Sequence, residues 1–282
     1  MKIDSHQHFW KYDPEIYSWI PDSMKRIRKD FTPEDLWPIL EENGMDGCIS
    51  VQADQSEEET VSLLELGNSH KFVKGVVGWV DLNAPDVQER LELYARDPLF
   101  KGVRHTVWDK RGEFMEDLDF QRGIAALAAF GLTYDILVFD YQLPGAVELV
   151  RKFPEQKFVL DHMAKPQITG GTNTDWEEQI RLLGSSSGVY CKISGLLTQT
   201  DNFDWKIEDF FPLLQVVKES FGVERLLFGS DWPVCLTAGE YPDTLRIIEE
   251  FFTREEQEKI FGQNAAKCYM LEQTSKRSSI LK

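Results

Sequence analysis

Residues 133–162 read TYDILVFDYQLPGAVELVRKFPEQKFVLDH. An apolar run at 133–139 gives way to an amphipathic stretch at 143–152, and a second apolar run follows at 157–162. The period changes from that of a strand to that of a helix and back, with no hairpin turn between the runs. Strand, helix and strand in that order predict parallel strands joined by a right-handed crossover. The alternation continues in both directions. Strands are predicted at 2–8, 47–52, 72–80, 102–106, 133–139, 157–162, 189–194 and 225–231. Helices are predicted at 32–43, 56–69, 86–95, 118–130, 143–152, 174–183, 205–221 and 241–251. One of them opens on Thr32-Pro33-Glu34-Asp35, which combines an N-cap, a first-turn proline and acidic residues. Eight such units predict an α/β chain closed into a single (β/α)8 TIM barrel over residues 1–271. Residues 272–282 read as a polar C-terminal tail.

Residues 9–31 form too long a connection for an ordinary strand-to-helix loop. They carry Trp10, Tyr12, Tyr17 and Trp19, which predicts an ordered loop after the first strand. The net charge of -17 argues against a nucleic-acid partner, which would require clustered lysine and arginine. The four cysteines are widely spaced, and Cys48, Cys191 and Cys235 lie in or beside apolar runs. Buried, reduced thiols are the expectation, as in a cytoplasmic protein. Residues 1–10 lack the apolar centre of a secretory signal, and no apolar run is long enough to span a bilayer. The number of subunits leaves no mark on the sequence.

The chemistry is expected at the C-terminal ends of the barrel strands. Of five histidines, His6 and His8 end the first strand, His105 the fourth and His162 the sixth. Only His70 falls elsewhere. His6 and His8 are two apart, so on a strand they share a face and can share a metal ion or a polar substrate group. Asp4 has the same parity and is placed to hold His6 or a backbone group. Asp231 ends the run Leu226-Leu227-Phe228-Gly229-Ser230, where a carboxylate without a function is costly to bury. It can take a proton from water, bind a metal, or cap a helix, although Trp232-Pro233 separates it from the next helix. Arg104 suits a bidentate grip on a carboxylate or on neighbouring hydroxyls, or else a salt bridge at a strand end. Lys192 and Lys165 are weaker candidates for substrate contact. Trp10, Trp19 and Trp108 can form a platform for a sugar face or pack a lid. No Gly-x-Ser-x-Gly elbow joins a predicted strand to the helix after it, so a serine nucleophile has no support.

Four segments taken together carry a resemblance. They are His6-Gln7-His8-Phe9-Trp10, Gly102-Val103-Arg104, Leu160-Asp161-His162 with Lys165-Pro166, and Gly229-Ser230-Asp231-Trp232-Pro233. In order and spacing these resemble the amidohydrolase superfamily. Within it they resemble the branch of sugar-acid lactonases and 2-pyrone-4,6-dicarboxylate lactonase. The resemblance spans nearly the whole chain. It implies a barrel that hydrolyses a cyclic ester, with Asp231 as general base and His6, His8 and His162 around it. Arg104 and His162 are implied substrate contacts, with Tyr134, Trp10 and Lys192 as further candidates. The chain departs from metal-dependent members at strand four, where Arg104 replaces a bridging lysine. It departs again at strand five, where Tyr134-Asp135 stands in place of a histidine. These departures argue against two metals. One divalent ion, zinc by its ligand set, could be held by His6, His8 and Asp231; metal-free hydrolysis is the alternative. The aromatic loop suits a neutral sugar ring, and the expected substrate is an aldonolactone such as L-fucono- or L-rhamnonolactone. A pyrone-dicarboxylate lactone would want several converging cations. A metal-dependent decarboxylase of the same superfamily and a barrel retained only for binding are the other readings.

Overall fold

The computed structural model of the chain describes residues 1–106, 113–168 and 173–271. Eight strands follow one another around a parallel sheet: β1 (Ile3–Gln7), β2 (Gly47–Val51), β3 (Val73–Gly78), β4 (Phe100–Thr106), β5 (Thr133–Leu137), β6 (Phe158–Leu160), β7 (Val189–Ile193) and β8 (Leu226–Phe228). Hydrogen bonds from His8 N–H to Trp232 O (2.7 Å) and from Asp231 N–H to His6 O (2.8 Å) tie β8 back to β1 and close the barrel. This is the expected (β/α)8 architecture.

Outer helices cover the strands: α1 (Pro33–Glu42), α2 (Glu57–Ser69), α3 (Val87–Ala95), α4 (Leu118–Leu127), α5 (Leu143–Lys152), α6 (Thr174–Gly184), α7 (Phe211–Phe221) and α8 (Tyr241–Phe251). At the start of α1 the Asp35 carboxylate accepts the Thr32 N–H at 2.9 Å, as the sequence signal predicted. Two apolar layers result. A large one lies between the strands and the helices, and a smaller one fills the barrel interior with Ile3, Ile49, Val51, Val77, Val159 and Leu227. Tyr269 and Leu271 close that inner layer from below. Among the described residues no helix is long and apolar enough to cross a membrane. The tail at 272–282 and Trp108 lie outside the described residues.

The connection after β1 is ordered as expected. Trp10 and Phe31 exchange two backbone hydrogen bonds, which pin the ends of the loop together. Tyr17, Ile20 and Ile27 are buried beneath it. β6 and β8 are shorter than predicted because the chain turns sharply at their ends. His162 through Lys165 and Asp231 all adopt left-handed backbone conformations, with φ between 49° and 63°. Such values are uncommon outside glycine and collect at functional sites. Here they turn His162 and Asp231 off the ends of their strands.

Candidate active site

Strand registry decides which side chains enter the barrel. Arg104 pairs with Asp135, Asp135 with Val159, and Lys192 with Leu227, so these residues share the inner face. A shift of register between Asp4 and Gln7 alters the parity of β1. His6 and His8 point inward. Asp4 instead turns outward, accepting hydrogen bonds from Ser230 Oγ (2.5 Å) and from Tyr241 of α8 (3.2 Å). Its role is to hold backbone, as it also accepts the N–H groups of His6 and Ser230. Burial raises its carboxyl to about 6.

Asp231 stands at the centre of the site. Its Oδ1 lies 3.3 Å from His8 Nε2 and 3.7 Å from His6 Nε2. Burial opposes its ionisation, but attraction to His162, His8 and His6 in their protonated forms outweighs burial and holds the carboxyl below the usual carboxylate range. His8 Nδ1 is 2.7 Å from Val51 O, an acceptor only, so Nδ1 carries the proton. Burial lowers the pKa of His8, and in the neutral ring Nε2 presents a lone pair to a carboxylate oxygen. Two such atoms facing each other call for a proton or a metal ion between them.

His6 gives the same picture. Its Nε2 faces Arg104 Nη1 at 3.2 Å and its Nδ1 faces the Lys192 ammonium at 3.3 Å; both neighbours only donate, and the Asp161 carboxylate beside Nδ1 places the ring proton there, so Nε2 accepts from Arg104. Nδ1 faces Asp161 Oδ1 at 3.4 Å. Arg104 is itself anchored by Asp161 Oδ2 (3.1 Å) and Gln52 Oε1 (2.8 Å), with a further bond to Gln52 O. Donor atoms of His6, His8 and Asp231 all lie within 4.8 Å of one another, as do those of His6, Asp161 and His162. The first set, two imidazole Nε2 atoms, of which that of His6 also faces Arg104, and one carboxylate oxygen, is of the kind that holds a divalent ion.

His162 completes the group. Its Nδ1 is held by Ser194 Oγ at 2.8 Å, and among the described residues no hydrogen bond engages the Nε2 edge. Burial pushes its pKa down to about 4, so the ring is neutral at pH 7. A cavity of about 280 Å³ opens above these residues, lined by His8, Arg104, His162, Lys165, Asp231 and Trp19 among others. Ala53, Asp54 and Gln55, from the β2–α2 connection, form one wall. The volume is at the small end for ligand pockets.

The structure thus brings together His6, His8, His162, Asp231 and Arg104. Other candidates lie elsewhere. Tyr134 faces outward, packed against Phe120, Phe158 and His105, because inward-facing Arg104 is in register with its neighbour Asp135. His105 faces the same outer layer, next to Trp79. Trp10 is buried behind His8, with ring centroids 6.2 Å apart, and its Nε1–H donates to Lys29 O. Trp19, not Trp10, reaches the cavity. Lys192 is fully buried below the site, bound to Asp135 Oδ2 (2.6 Å) and Asp161 Oδ1 (3.0 Å), and does not line the cavity. Asp161, Gln52, Ser194 and Gly195 had no role from sequence. Asp161 alone carried a signal, as an acidic residue beside His162 at a strand end.

With this geometry the chain can be set beside known proteins. An L-fucono-1,5-lactonase of Burkholderia multivorans is 35% identical, with 96% of each chain aligned. A second L-fucono-1,5-lactonase, from Burkholderia ambifaria, is 33% identical over 97% of each. A crystal structure of a Burkholderia multivorans amidohydrolase with bound zinc superposes with a TM-score of 0.92 at 36% identity. It covers 96% of this chain and all of that one. The amidohydrolase family profile matches residues 3–271. An inward His6–His8 pair, Asp231 at the end of β8 and a match along the whole barrel place this chain in the amidohydrolase family.

Proposed function

We propose that the protein hydrolyses a sugar lactone, with a six-carbon aldonolactone of the L-fucono-1,5-lactone type as the leading substrate. The observation that carries this reading is the Asp231 carboxyl group at the floor of a small cavity, flanked by His8, His162 and Arg104. Near-full-length similarity to two L-fucono-1,5-lactonases supports it.

Asp231 takes a proton from water as the oxygen attacks the lactone carbonyl. The same proton then passes to the ring oxygen as the C–O bond breaks. General acid–base transfer of this kind contributes about 10²–10⁴-fold. A carboxylate held below its usual pKa is a weak base, yet a lactone ester is far easier to open than an amide. Arg104 supplies positive charge, and the Nε2 edge of His162 hydrogen bonding, where the carbonyl oxygen gains charge. Ser194 fixes the ring of His162 for that role. A divalent ion held by His6, His8 and Asp231 would add electrophilic activation of the carbonyl.

Lys165 also lines the cavity, and two cations there favour a dicarboxylate lactone as the second reading. A panel of sugar lactones and a pyrone dicarboxylate, assayed by acid release with and without chelator, separates the two. Turnover of L-fucono- or L-rhamnonolactone is expected, and Asp231→Asn should lower kcat about 10²–10⁴-fold while leaving the fold intact. Full activity in that variant would remove Asp231 as the base. Hydrolysis of the pyrone dicarboxylate alone would transfer the assignment to the second reading.

A further inference from the structure

The lone pair on His6 Nε2 has two claimants. Arg104 Nη1 donates to it at 3.2 Å, and it is also one of the three donors converging with His8 Nε2 and Asp231 Oδ1. One sp² nitrogen lone pair cannot accept an N–H and coordinate an ion at the same time. Nor is the guanidinium free to drift away. Gln52 and Asp161 grip its other N–H groups, and it is almost completely buried, so its charge stays beside His6 whatever else binds. We infer that Arg104 is a built-in competitor of the divalent ion: guanidinium and metal exclude each other from His6 Nε2, and this contest sets the metal affinity of the site.

The inference rests on the reading that His6, His8 and Asp231 take a divalent ion, and it goes beyond that reading by naming what opposes the ion. Two effects act together. Occupation of Nε2 by the ion breaks one hydrogen bond of Arg104, and the fixed positive charge then repels the ion across a buried, weakly screened space. Arg104 would also preserve a cation at this point when no ion is bound. The positive charge needed opposite Asp231 would therefore never be wholly absent.

Lys165 supplies the control. It lines the same cavity and is likewise a basic side chain, though burial lowers its pKa. Among the described residues its ammonium contacts the face of Phe139 (5.4 Å to the ring centroid) and no donor atom of the metal set. Chelator-stripped wild type, Arg104→Met and Lys165→Met are titrated with zinc against a fluorescent chelator, and circular dichroism verifies each fold. Arg104→Met is expected to bind zinc at least about tenfold more tightly than wild type, and Lys165→Met to change affinity by less than about threefold. Equal affinity in Arg104→Met and wild type would overturn the inference. So would equal tightening in both variants, because net charge would then explain the effect. Absence of zinc binding in all three proteins would instead overturn the ion-binding reading itself. Should Arg104→Met not fold, wild type gives the answer without substitution. The side-chain N–H resonance of Arg104 in ¹⁵N-labelled protein must move on zinc addition as its bond to His6 is lost, and an unmoved resonance refutes the competition.

Discussion

Gly195 occupies a position that no other residue fits. Its φ of +65° lies in the left-handed region, and an added Cβ would sit 2.6 Å from His162 Nδ1 and 3.2 Å from Asp231 Oδ2. The histidine ring is buried and bound to Ser194, so it cannot yield without losing its orientation. Gly195→Ala should cost about 1–2 kcal/mol through the backbone conformation alone. Displacement of His162 should lower kcat further, on the order of 10²-fold. Urea denaturation and turnover measured on the same preparation check both parts; unchanged kcat would mean that the placement of His162 does not matter. His6, His8, His162 and Asp231 could be read from sequence because ionisable groups at the ends of apolar runs are expensive unless they work. Gly195 and Gln52 could not, since nothing local to a glycine or glutamine names a partner many residues away. Tyr134 faces away from the cavity, because alternation along a strand sends neighbours to opposite faces.

At the scale of elements, the wall formed by Ala53, Asp54 and Gln55 depends on Glu59 from the first turn of α2. One carboxylate oxygen of Glu59 accepts the N–H of Ala53 at 3.0 Å and that of Asp54 at 2.8 Å. The other is buried without a partner among the described residues. Burial raises the Glu59 pKa to about 8, against the pull of the two backbone hydrogen bonds. The folded chain therefore keeps this proton through a range in which the unfolded chain, with an ordinary glutamate, has lost it. Stability attributable to Glu59 must fall as pH rises from the ordinary glutamate value to about 8. Glu59→Gln keeps the acceptor oxygen and removes the titration. Urea midpoints measured between about pH 5 and pH 8 should fall more steeply in wild type than in Glu59→Gln. Parallel curves would show that Glu59 ionises normally. Element type was legible because strand and helix periods differ, whereas the early ends of β6 and β8 were not. Left-handed turns at His162 and Asp231 follow soon after those strands end, and no glycine at those two positions announces them.

Across the whole molecule, one buried network links the catalytic mouth to the floor of the barrel. Lys192 lies between Asp161, which reaches up to Arg104 and His6, and Asp135, which accepts from Tyr269 Oη at 2.8 Å in the closing C-terminal segment. Strand order and helix cover could be inferred from sequence periodicity, which is local. This network could not, because its members come from β5, β6, β7 and the chain's last described turn, and only closure of the barrel brings them together. The opposing carboxylates raise the pKa of Lys192 despite its burial, so the ammonium is charged. Lys192→Met would leave two buried carboxylates with less compensation, and removal of one partner from such a network typically costs about 3–5 kcal/mol. Asp161 would retain Arg104 at 3.1 Å, whereas among the described residues Asp135 would keep only neutral hydroxyl partners, Thr133 and Tyr269. Most of the penalty should therefore fall on Asp135. Addition of Asp135→Asn to Lys192→Met should restore a large part of the lost stability, although each substitution alone is destabilising. A urea double-mutant cycle reads the coupling directly. Additive losses would show that the ammonium is not what neutralises Asp135, and that the floor of the barrel is held independently of the site above it.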